Sequence, residues 1–259
     1  MLASSRQRYT AAVHAVASVA MVASLAGTAA AQTPRFQLEL EAGPAWISRN
    51  VVQIPNNATA TRFSLNEVTG SGPWPAGRAY FTWNVNERHG LRALAAPLSI
   101  TETGRLRIPV SFAGGSYTAS APVEATYAFN SYRLTYRYQW RNTERTRLWV
   151  GFTGKIRDAT VQLAQGSVST RKDDLGFVPL LHVAGEWRTA SNWQLGTDID
   201  ALAGGPGRAI DAAVKLGYDP RGRFGVHVGY RTVEGGADVD EVYSFSWIHY
   251  AVASLVWRW

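Results

Sequence analysis

The sequence contains no cysteine, which excludes a disulfide framework, a thiol nucleophile, cysteine-ligated zinc and an iron–sulfur cluster. It also lacks the several apolar runs of about 20 residues that a polytopic helical membrane protein requires. Its 26 basic and 19 acidic residues give a small surplus of positive charge, and no basic run is interleaved with aromatics. Nucleic acid is therefore not an expected partner. A chain of 259 residues suffices for one large domain or two small ones.

The first residues have the features of an export signal. Two arginines form a positive n-region, residues 11–27 are apolar, and the small residues 28–31 precede a cleavage site. A first transmembrane helix is the alternative, but the stretch is short and no stop-transfer charge cluster follows it. We predict a signal peptide at residues 1–31 and one exported domain at residues 32–259. Without the two arginines this domain has 24 basic and 19 acidic residues, a net charge of +5.

The exported domain alternates apolar and polar residues in segments of about ten. In residues 132–140 the even positions are Tyr, Leu, Tyr, Tyr and Trp, whereas the odd positions are Arg, Thr, Arg and Gln. Similar alternation occurs in residues 148–156, 210–218 and 224–230. A period of two predicts strands with one apolar face. Such strands suit a soluble sandwich and a membrane barrel alike, since only the direction of the apolar face differs.

The spacing of the turns separates these two architectures. Four short polar turns each join two alternating segments: residues 86–90, 142–145, 189–192 and 219–222. The connections between these hairpins are mostly much longer: residues 49–76, 100–122, 158–174 and 233–241. Short turns on one side and long loops on the other are typical of outer-membrane barrels.

We therefore predict an all-β fold, a transmembrane antiparallel up-and-down β-barrel. The ten predicted strands are residues 35–48, 77–85, 91–99, 123–141, 146–158, 175–188, 193–203, 208–218, 223–233 and 242–259. Eight strands is the alternative if residues 77–99 belong to a loop. An even number places both termini on the short-turn side, which we expect to be periplasmic. Several segments exceed the roughly 9–11 residues needed to span a membrane, so the barrel should project beyond the outer leaflet.

The last strand carries the most specific pattern. It ends in an aromatic residue, and Trp257 and Trp259 share their parity with Leu255 and Ala253. This ending resembles the β-signal by which the assembly machinery recognises outer-membrane barrels. The tryptophans suited to two interfacial girdles are Trp46, Trp83, Trp140, Trp187, Trp193, Trp257 and Trp259.

The chain thus resembles the small outer-membrane β-barrel proteins of Gram-negative bacteria over its whole exported part. The resemblance implies a bacterial outer-membrane location. It also implies two partners, namely the barrel assembly machinery and outer-membrane lipids including lipopolysaccharide. It implies no cofactor and identifies no particular activity.

Charged residues on the polar parity are expected inside the barrel, where charges must be paired or hydrated. The inward acids are Glu39, Glu41, Glu186, Asp198, Asp200 and Asp211. The inward cations are Arg133, Arg137, Lys155, Arg157, Arg188, Lys215 and Arg231, with His182 and His227 alongside. A barrel of eight to ten strands is narrow enough for side chains to occupy its interior. We expect a salt-bridged, largely filled lumen; a narrow water-filled passage and a ligand pocket or active site are the alternatives.

The sequence lacks the residue patterns of two known classes of barrel enzyme. The omptin proteases use an Asp-x-His pair, which is absent here; Asp198 and Asp200 imitate only their Asp-x-Asp half. The lipid A deacylase type uses His-x-Ser, which is also absent. His182 and Glu186 share a face and could form an acid–base pair, although lumen packing also explains them. We predict a non-catalytic barrel with a structural, surface-interaction or narrow-pore role; the alternative is an enzyme that modifies lipid A or cleaves peptides.

Two loop features are weaker candidates. Four acids in the last long loop are Glu234, Asp238, Asp240 and Glu241, of which the last three are a possible cation site. The spacing matches no EF-hand, so a solvated acidic loop is favoured and no metal is predicted. The arginines that border the first long loop and could contact lipid phosphates are Arg49, Arg62 and Arg78.

Overall fold

The computed structural model of the protein describes residues 34–189, 192–220 and 223–259. The predicted signal peptide lies outside these described residues. The strands are β1 (Phe36–Gln53), β2 (Phe63–Ser64), β3 (Trp74–Asn84), β4 (His89–Ala96), β5 (Ser99–Gly104), β6 (Val110–Phe112), β7 (Gly115–Tyr117), β8 (Val123–Asn142), β9 (Thr146–Gln165), β10 (Val168–Arg188), β11 (Trp193–Gly204), β12 (Gly207–Tyr218), β13 (Phe224–Val239) and β14 (Val242–Arg258). One short helix, α1 (Asn66–Thr69), lies between β2 and β3. Within the described ranges, no helix has the length and apolar character needed to cross a membrane.

The strands form one closed antiparallel barrel. Each long strand pairs with its neighbours in chain order, β5 continues alongside β8 after β4, and β14 pairs back with β1. The predicted ten-stranded, all-β barrel is confirmed. The eight-stranded alternative is wrong, because residues 77–99 contribute β3 and β4 to the wall.

Closure occurs where the first and last strands meet. The Phe36 amide donates to the Trp259 carbonyl at 2.9 Å, and the Trp259 amide donates to the Phe36 carbonyl at 3.1 Å. Gly43 lies on the same seam, and a Cβ there would come within 1.9 Å of the Ala251 carbonyl oxygen. The close approach of these two strands therefore requires glycine at position 43.

The outward face of the wall is apolar. Leu134, Phe152 and Leu255 are 57%, 66% and 64% exposed on three different strands. An apolar exterior around a polar interior is the arrangement of membrane barrels. The predicted girdle tryptophans that are exposed are Trp46, Trp83, Trp140, Trp193, Trp257 and Trp259, whereas Trp187 is half-buried.

The barrel has two unlike ends. The turn end carries the start of β1, the end of β14 and the positions of the four predicted short turns. Residues 190–191 and 221–222 of two of these turns lie outside the described residues. The opposite end, here the loop end, differs from the prediction, because residues 158–174 and 233–241 are mostly strand. These extensions were missed because their outward positions, such as Thr160 and Gln162, are polar and end the apolar alternation. The two remaining connections are long: residues 54–73 include β2 and α1, and residues 105–122 include β6 and β7.

Those two long connections fold into the mouth of the barrel. Phe63 and Leu65 from the first and Phe112 from the second pack with wall residues such as Leu163 and Ile248. All five side chains are almost fully buried. The loop end is therefore filled by an apolar cluster, here the loop-end core.

The wall is uneven in height. β9 and β10 have 20 and 21 residues, whereas β11 and β12 have 12 each. The β10–β11 ladder runs from Arg188 opposite Gln194 up to Leu181 opposite Ala201, where it ends. Residues 178–180 and 202–204 continue their strands without pairing to each other. This leaves a break in the wall, here the β10–β11 gap.

Candidate functional site: the charged lumen

Alternation directs the polar parity of every long strand into the barrel. Of the predicted lumen residues, those that are buried are Glu41, Arg133, Arg137, Lys155, His182, Asp200, Asp211, His227 and Arg231. Those that are half-buried are Glu39, Arg157, Glu186, Asp198 and Lys215. Arg188 lies exposed at the end of β10.

Asp211 on β12 is the centre of an ion network across the lumen. Its Oδ2 accepts hydrogen bonds from Arg133 on β8 at 2.6 Å and from Arg78 on β3 at 2.7 Å. Its Oδ1 accepts from Arg231 on β13 at 2.5 Å. Three strands from different parts of the wall are thus tied to one carboxylate. Each of these four side chains is at most 6% exposed.

Two acids on β1 extend the network to the seam. Glu41 Oε1 accepts from Arg231 Nε at 2.9 Å and lies 3.6 Å from Arg78 Nε. Lys215 forms ion pairs with both Glu41 and Glu39, the latter at 2.5 Å. The seam between β1 and β14 is therefore connected by charge to β3, β12 and β13.

The two aspartates of β11 form the other side of the network. Asp200 accepts from Arg133 at 2.9 Å and from the Thr153 hydroxyl at 2.8 Å, and it lies 2.8 Å from His182 Nδ1. Asp198 accepts two hydrogen bonds from Arg92, at 2.5 and 3.0 Å. Glu186 does not meet His182, because it pairs with Arg147 at 3.1 Å. The acid–base pair that the sequence suggested is therefore not formed.

Sequence reasoning missed several members of the network. Arg78 was expected at a loop border, but it points into the barrel from β3 together with Tyr80. Arg92 alternates with alanine and leucine on β4, and this alternation could have identified it. The Tyr80 ring lies 5.3–5.8 Å from four cations: Arg78, Arg92, Lys215 and Arg231.

Four of the predicted cations lie outside the central network: Arg188, at the exposed end of β10, and Arg157, Arg137 and Lys155. Arg157 pairs with Asp174 on β10. The guanidinium of Arg137 lies 4.6 Å from the Trp149 ring centroid. The ammonium of Lys155 lies 4.7 Å from the Phe129 ring, and within the described ranges no carboxylate comes within 4.0 Å of it.

His182, Asp198 and Asp200 bring three ligand-type atoms within 4.8 Å of one another. A metal ion there would compete with the arginines that already neutralise both carboxylates. This cluster therefore fits the ion network better than a metal site. The acids of residues 234–241 are engaged separately, Glu234 with Arg208 and Asp238 with Asn56, and in the described chain they form no three-ligand group.

A separate polar cluster lies at the turn end of the lumen. Asp219, in the turn after β12, accepts from Arg258 at 2.6 Å and lies 3.1 Å from His227 Nε2. Burial alone would raise the pKa of Asp219, but the hydrogen bonds with His227 and Arg258 outweigh burial and lower it to about 2. The cluster ties the turn to the last strand.

Cavities lie on both sides of the network. One of about 70 Å³ opens towards the turn end, and Glu39, Arg92 and Asp198 contribute to its walls. The other, of about 370 Å³, lies at the loop end beside the β10–β11 gap. The ion network separates the two cavities.

A second polar arrangement lies on the outer surface. A β-bulge in β1 falls between Ile47 and Arg49 and turns Ser48 outwards. Ser48 Oγ lies 2.8 Å from His249 Nε2 on β14, and His249 Nδ1 lies 2.5 Å from the Tyr230 hydroxyl on β13. No sequence motif could reveal this contact, because its members come from three separate strands.

The closed sheet with an apolar exterior defines a β-barrel of the outer-membrane class. The structure of the outer membrane protease OmpT from Escherichia coli is similar, with a TM-score of 0.55 at 10% identity over 90% of this chain and 99% of OmpT. The translocator domain of the autotransporter NalP from Neisseria meningitidis gives 0.42 at 8% identity over 98% and 96%. The attachment invasion locus protein Ail of Yersinia pestis, in complex with sucrose octasulfate, gives 0.40 at 9% over 86% and 99%. No family model and no curated protein matches the chain. At these identities the likeness to OmpT shows a shared fold.

Proposed function

We propose that this protein is a non-catalytic barrel of the bacterial outer membrane, with its turn end and both termini in the periplasm. Its role is structural or surface-binding, and its lumen does not conduct ions. The apolar exterior and the resemblance of its last strand to a β-signal support this location. The asymmetry of the two ends supports the orientation, because outer-membrane barrels place their short turns in the periplasm.

The observation that carries the closed-lumen proposal is the convergence of three arginines on Asp211. The linked chain Arg78, Asp211, Arg133 and Asp200 crosses from β3 to β12, β8 and β11. Moving any member aside would leave a buried charge without its partner, which is strongly unfavourable. The loop-end core closes the lumen a second time, on the loop side of the ion network.

The test is electrical. We expect the heat-modifiable, folded protein to show no steady single-channel current in planar bilayers across neutral pH. A steady ion current through the folded wild-type protein would contradict the closed-lumen proposal. Recovery of the exported protein as a soluble, detergent-free periplasmic monomer would contradict the membrane location.

The Ser48–His249–Tyr230 arrangement favours a second candidate function, hydrolysis of acyl esters in membrane lipids. Ser48 Oγ would attack the ester carbonyl while His249 takes its proton, and His249 would return that proton to the leaving alcohol. Water would then hydrolyse the acyl-serine and release the fatty acid. Tyr230 would hold the imidazole in place, and Arg49 is beside the serine for a lipid phosphate.

A fluorophosphonate probe tests this candidate, because it labels activated serines covalently. Labelling of protein in outer-membrane vesicles that is lost in Ser48→Ala and His249→Ala, and retained in Ser116→Ala, would support hydrolysis. Unlabelled wild-type protein would contradict it and favour the non-catalytic role. Lipid A and phospholipid mass spectra of the same strains would identify the product.

A further inference from the structure

The β10–β11 gap lies at the depth of the apolar exterior. Leu175 and Phe177 on β10 point outwards, are 76% and 68% exposed, and lie further towards the loop end than Pro179. The apolar exterior therefore extends past the level at which β10 and β11 stop pairing. Unpaired strand edges are avoided at this depth, because lipid offers no hydrogen bonds. Pro179 fits such an edge, since proline has no N–H to leave unpaired.

The larger cavity lies directly behind this gap. Its volume of about 370 Å³ falls in the range of roughly 300–1,000 Å³ that is typical of small-molecule sites. Val178 and Pro179 on one flank and Leu202 and Gly204 on the other belong to its lining. Leu202 has the inward parity of β11 and is still 40% exposed. An apolar side chain thus faces the cavity at the gap.

The cavity wall also carries an excess of positive charge. Its lining includes four cations, Lys155, Arg157, Lys172 and Arg208, and two acids. The acids are Asp174, which pairs with Arg157, and Glu234, which pairs with Arg208. Lys155 is only 3% exposed and lies beside Phe129 rather than a carboxylate. A buried ammonium in this setting is complemented by an anionic ligand group.

We propose that the cavity binds a single-chain alkyl carboxylate, which enters from the membrane through the β10–β11 gap. The carboxylate lies against Lys155, and the alkyl chain passes Leu202 and leaves between Pro179 and Gly204. This inference rests on the membrane location proposed above. It adds a ligand class and a lateral route, because the lumen itself is closed.

Photolabelling of the full-length barrel in phosphatidylcholine vesicles tests the site. The probe is a 16-carbon fatty acid with a diazirine on its chain, and its matched control is the alcohol of the same length. We expect cross-links in peptides of β9, β10 and β11 that line the cavity. Lys155→Met should reduce acid labelling about tenfold, because a charged hydrogen bond is lost, and should leave the alcohol unaffected.

Two further variants separate the cavity from the outer surface. Leu202→Trp fills the cavity and should abolish this labelling, whereas Leu195→Trp, on the outward face of the same strand, should not. Labelling confined to outward-facing residues, or equal labelling of the cavity by acid and alcohol, would overturn the proposal.

The lateral route has its own test, because the chain contains no cysteine. A disulfide between Leu180→Cys and Leu202→Cys would staple the gap and should block labelling until it is reduced. The matched pair Val183→Cys with Ile199→Cys joins residues already opposite each other in the ladder, and should leave labelling intact. Undiminished labelling in the stapled protein would overturn the lateral route. Heat-modifiability of every sample shows that the barrel is folded, so loss of the site is distinguishable from loss of the membrane fold.

Discussion

Asp211 forms ion pairs with three buried arginines, more than any other acid in the described residues. Removing its carboxylate leaves Arg78, Arg133 and Arg231 facing one another at low exposure. Asp198 and Asp200 each accept from one arginine, and Asp238 accepts one hydrogen bond from Asn56 near the loop end. The expected contribution to barrel stability therefore falls from Asp211 to Asp198 and Asp200, and is smallest for Asp238.

We expect Asp211→Ala to lower the free energy of unfolding by about 3–5 kcal/mol, the range for breaking a buried ion pair. Asp198→Ala and Asp200→Ala should destabilise the barrel less, and should open only a small ion leak while the loop-end core is in place. Asp238→Ala should change stability by no more than about 0.5 kcal/mol. Urea titration in vesicles and planar-bilayer conductance measure both effects. Unchanged melting and conductance in the Asp198, Asp200 and Asp211 variants would contradict the closed network.

Asp219 gives the turn end a dependence on acid pH. Its pKa is about 2 in the folded protein, whereas an unfolded aspartate has a pKa of about 3.9. A depressed folded pKa contributes stability above the unfolded pKa, and this contribution is lost as pH falls from about 4 to 2. We expect Asp219→Asn to be less stable than wild type at pH 6 and to converge with it near pH 2. A constant difference in melting temperature across this range would contradict the assignment.

At the level of residues, parity gave a set of expected lumen charges, but it omitted Arg78 and Arg92 and did not predict which charges meet. The pairing of Asp211 with Arg78, 133 residues apart, depends on the stagger of the strands around the barrel, which the sequence does not encode locally. Arg78 itself was assigned to a loop border because Pro75 and Gly77 interrupt the alternation before it. The Ser48–His249 contact was missed because a bulge shifts the register of β1.

At the level of elements, the seam between β1 and β14 depends on close backbone approach. We expect Gly43→Ala to reduce the folded, heat-modifiable fraction, because its Cβ would lie 1.9 Å from the Ala251 carbonyl oxygen. Gly77→Ala is the matched control, since its Cβ would lie 3.9 Å from the Glu41 carbonyl oxygen, an ordinary contact. Semi-native gels measure both; equal folded fractions would contradict this view of the seam.

The strands of the wall could be predicted from the sequence better than the long connections at the loop end. The number of wall strands was predicted correctly, because an apolar exterior imposes alternation on each crossing. The extent of β9 and β10 was underestimated, because beyond residue 158 the outward face is polar. The internal structure of residues 54–73 and 105–122 was not predicted, since α1, β6 and β7 are short and owe their form to packing in the barrel mouth.

The whole molecule places two barriers in series along one axis. The loop-end core is apolar, and the ion network beyond it is charged, so different substitutions disable them. We expect replacement of residues 107–121 by a short Gly-Ser linker to leave conductance low, because the ion network persists. The same deletion combined with Asp211→Ala should conduct far more than either change alone. Additive small effects in planar bilayers would show that the barriers do not act in series.

The hydrogen bonds between Phe36 and Trp259 place the two ends of the described chain side by side. A short linker could therefore join them, and the chain could be reopened at another turn of the same end, such as residues 143–145. Such a circular permutant would keep every strand pairing, but Trp259 would no longer be the last residue of the chain. If it refolds in detergent yet fails to reach the membrane in cells, then the aromatic ending is an address read by the cell, and the barrel's stability does not depend on it.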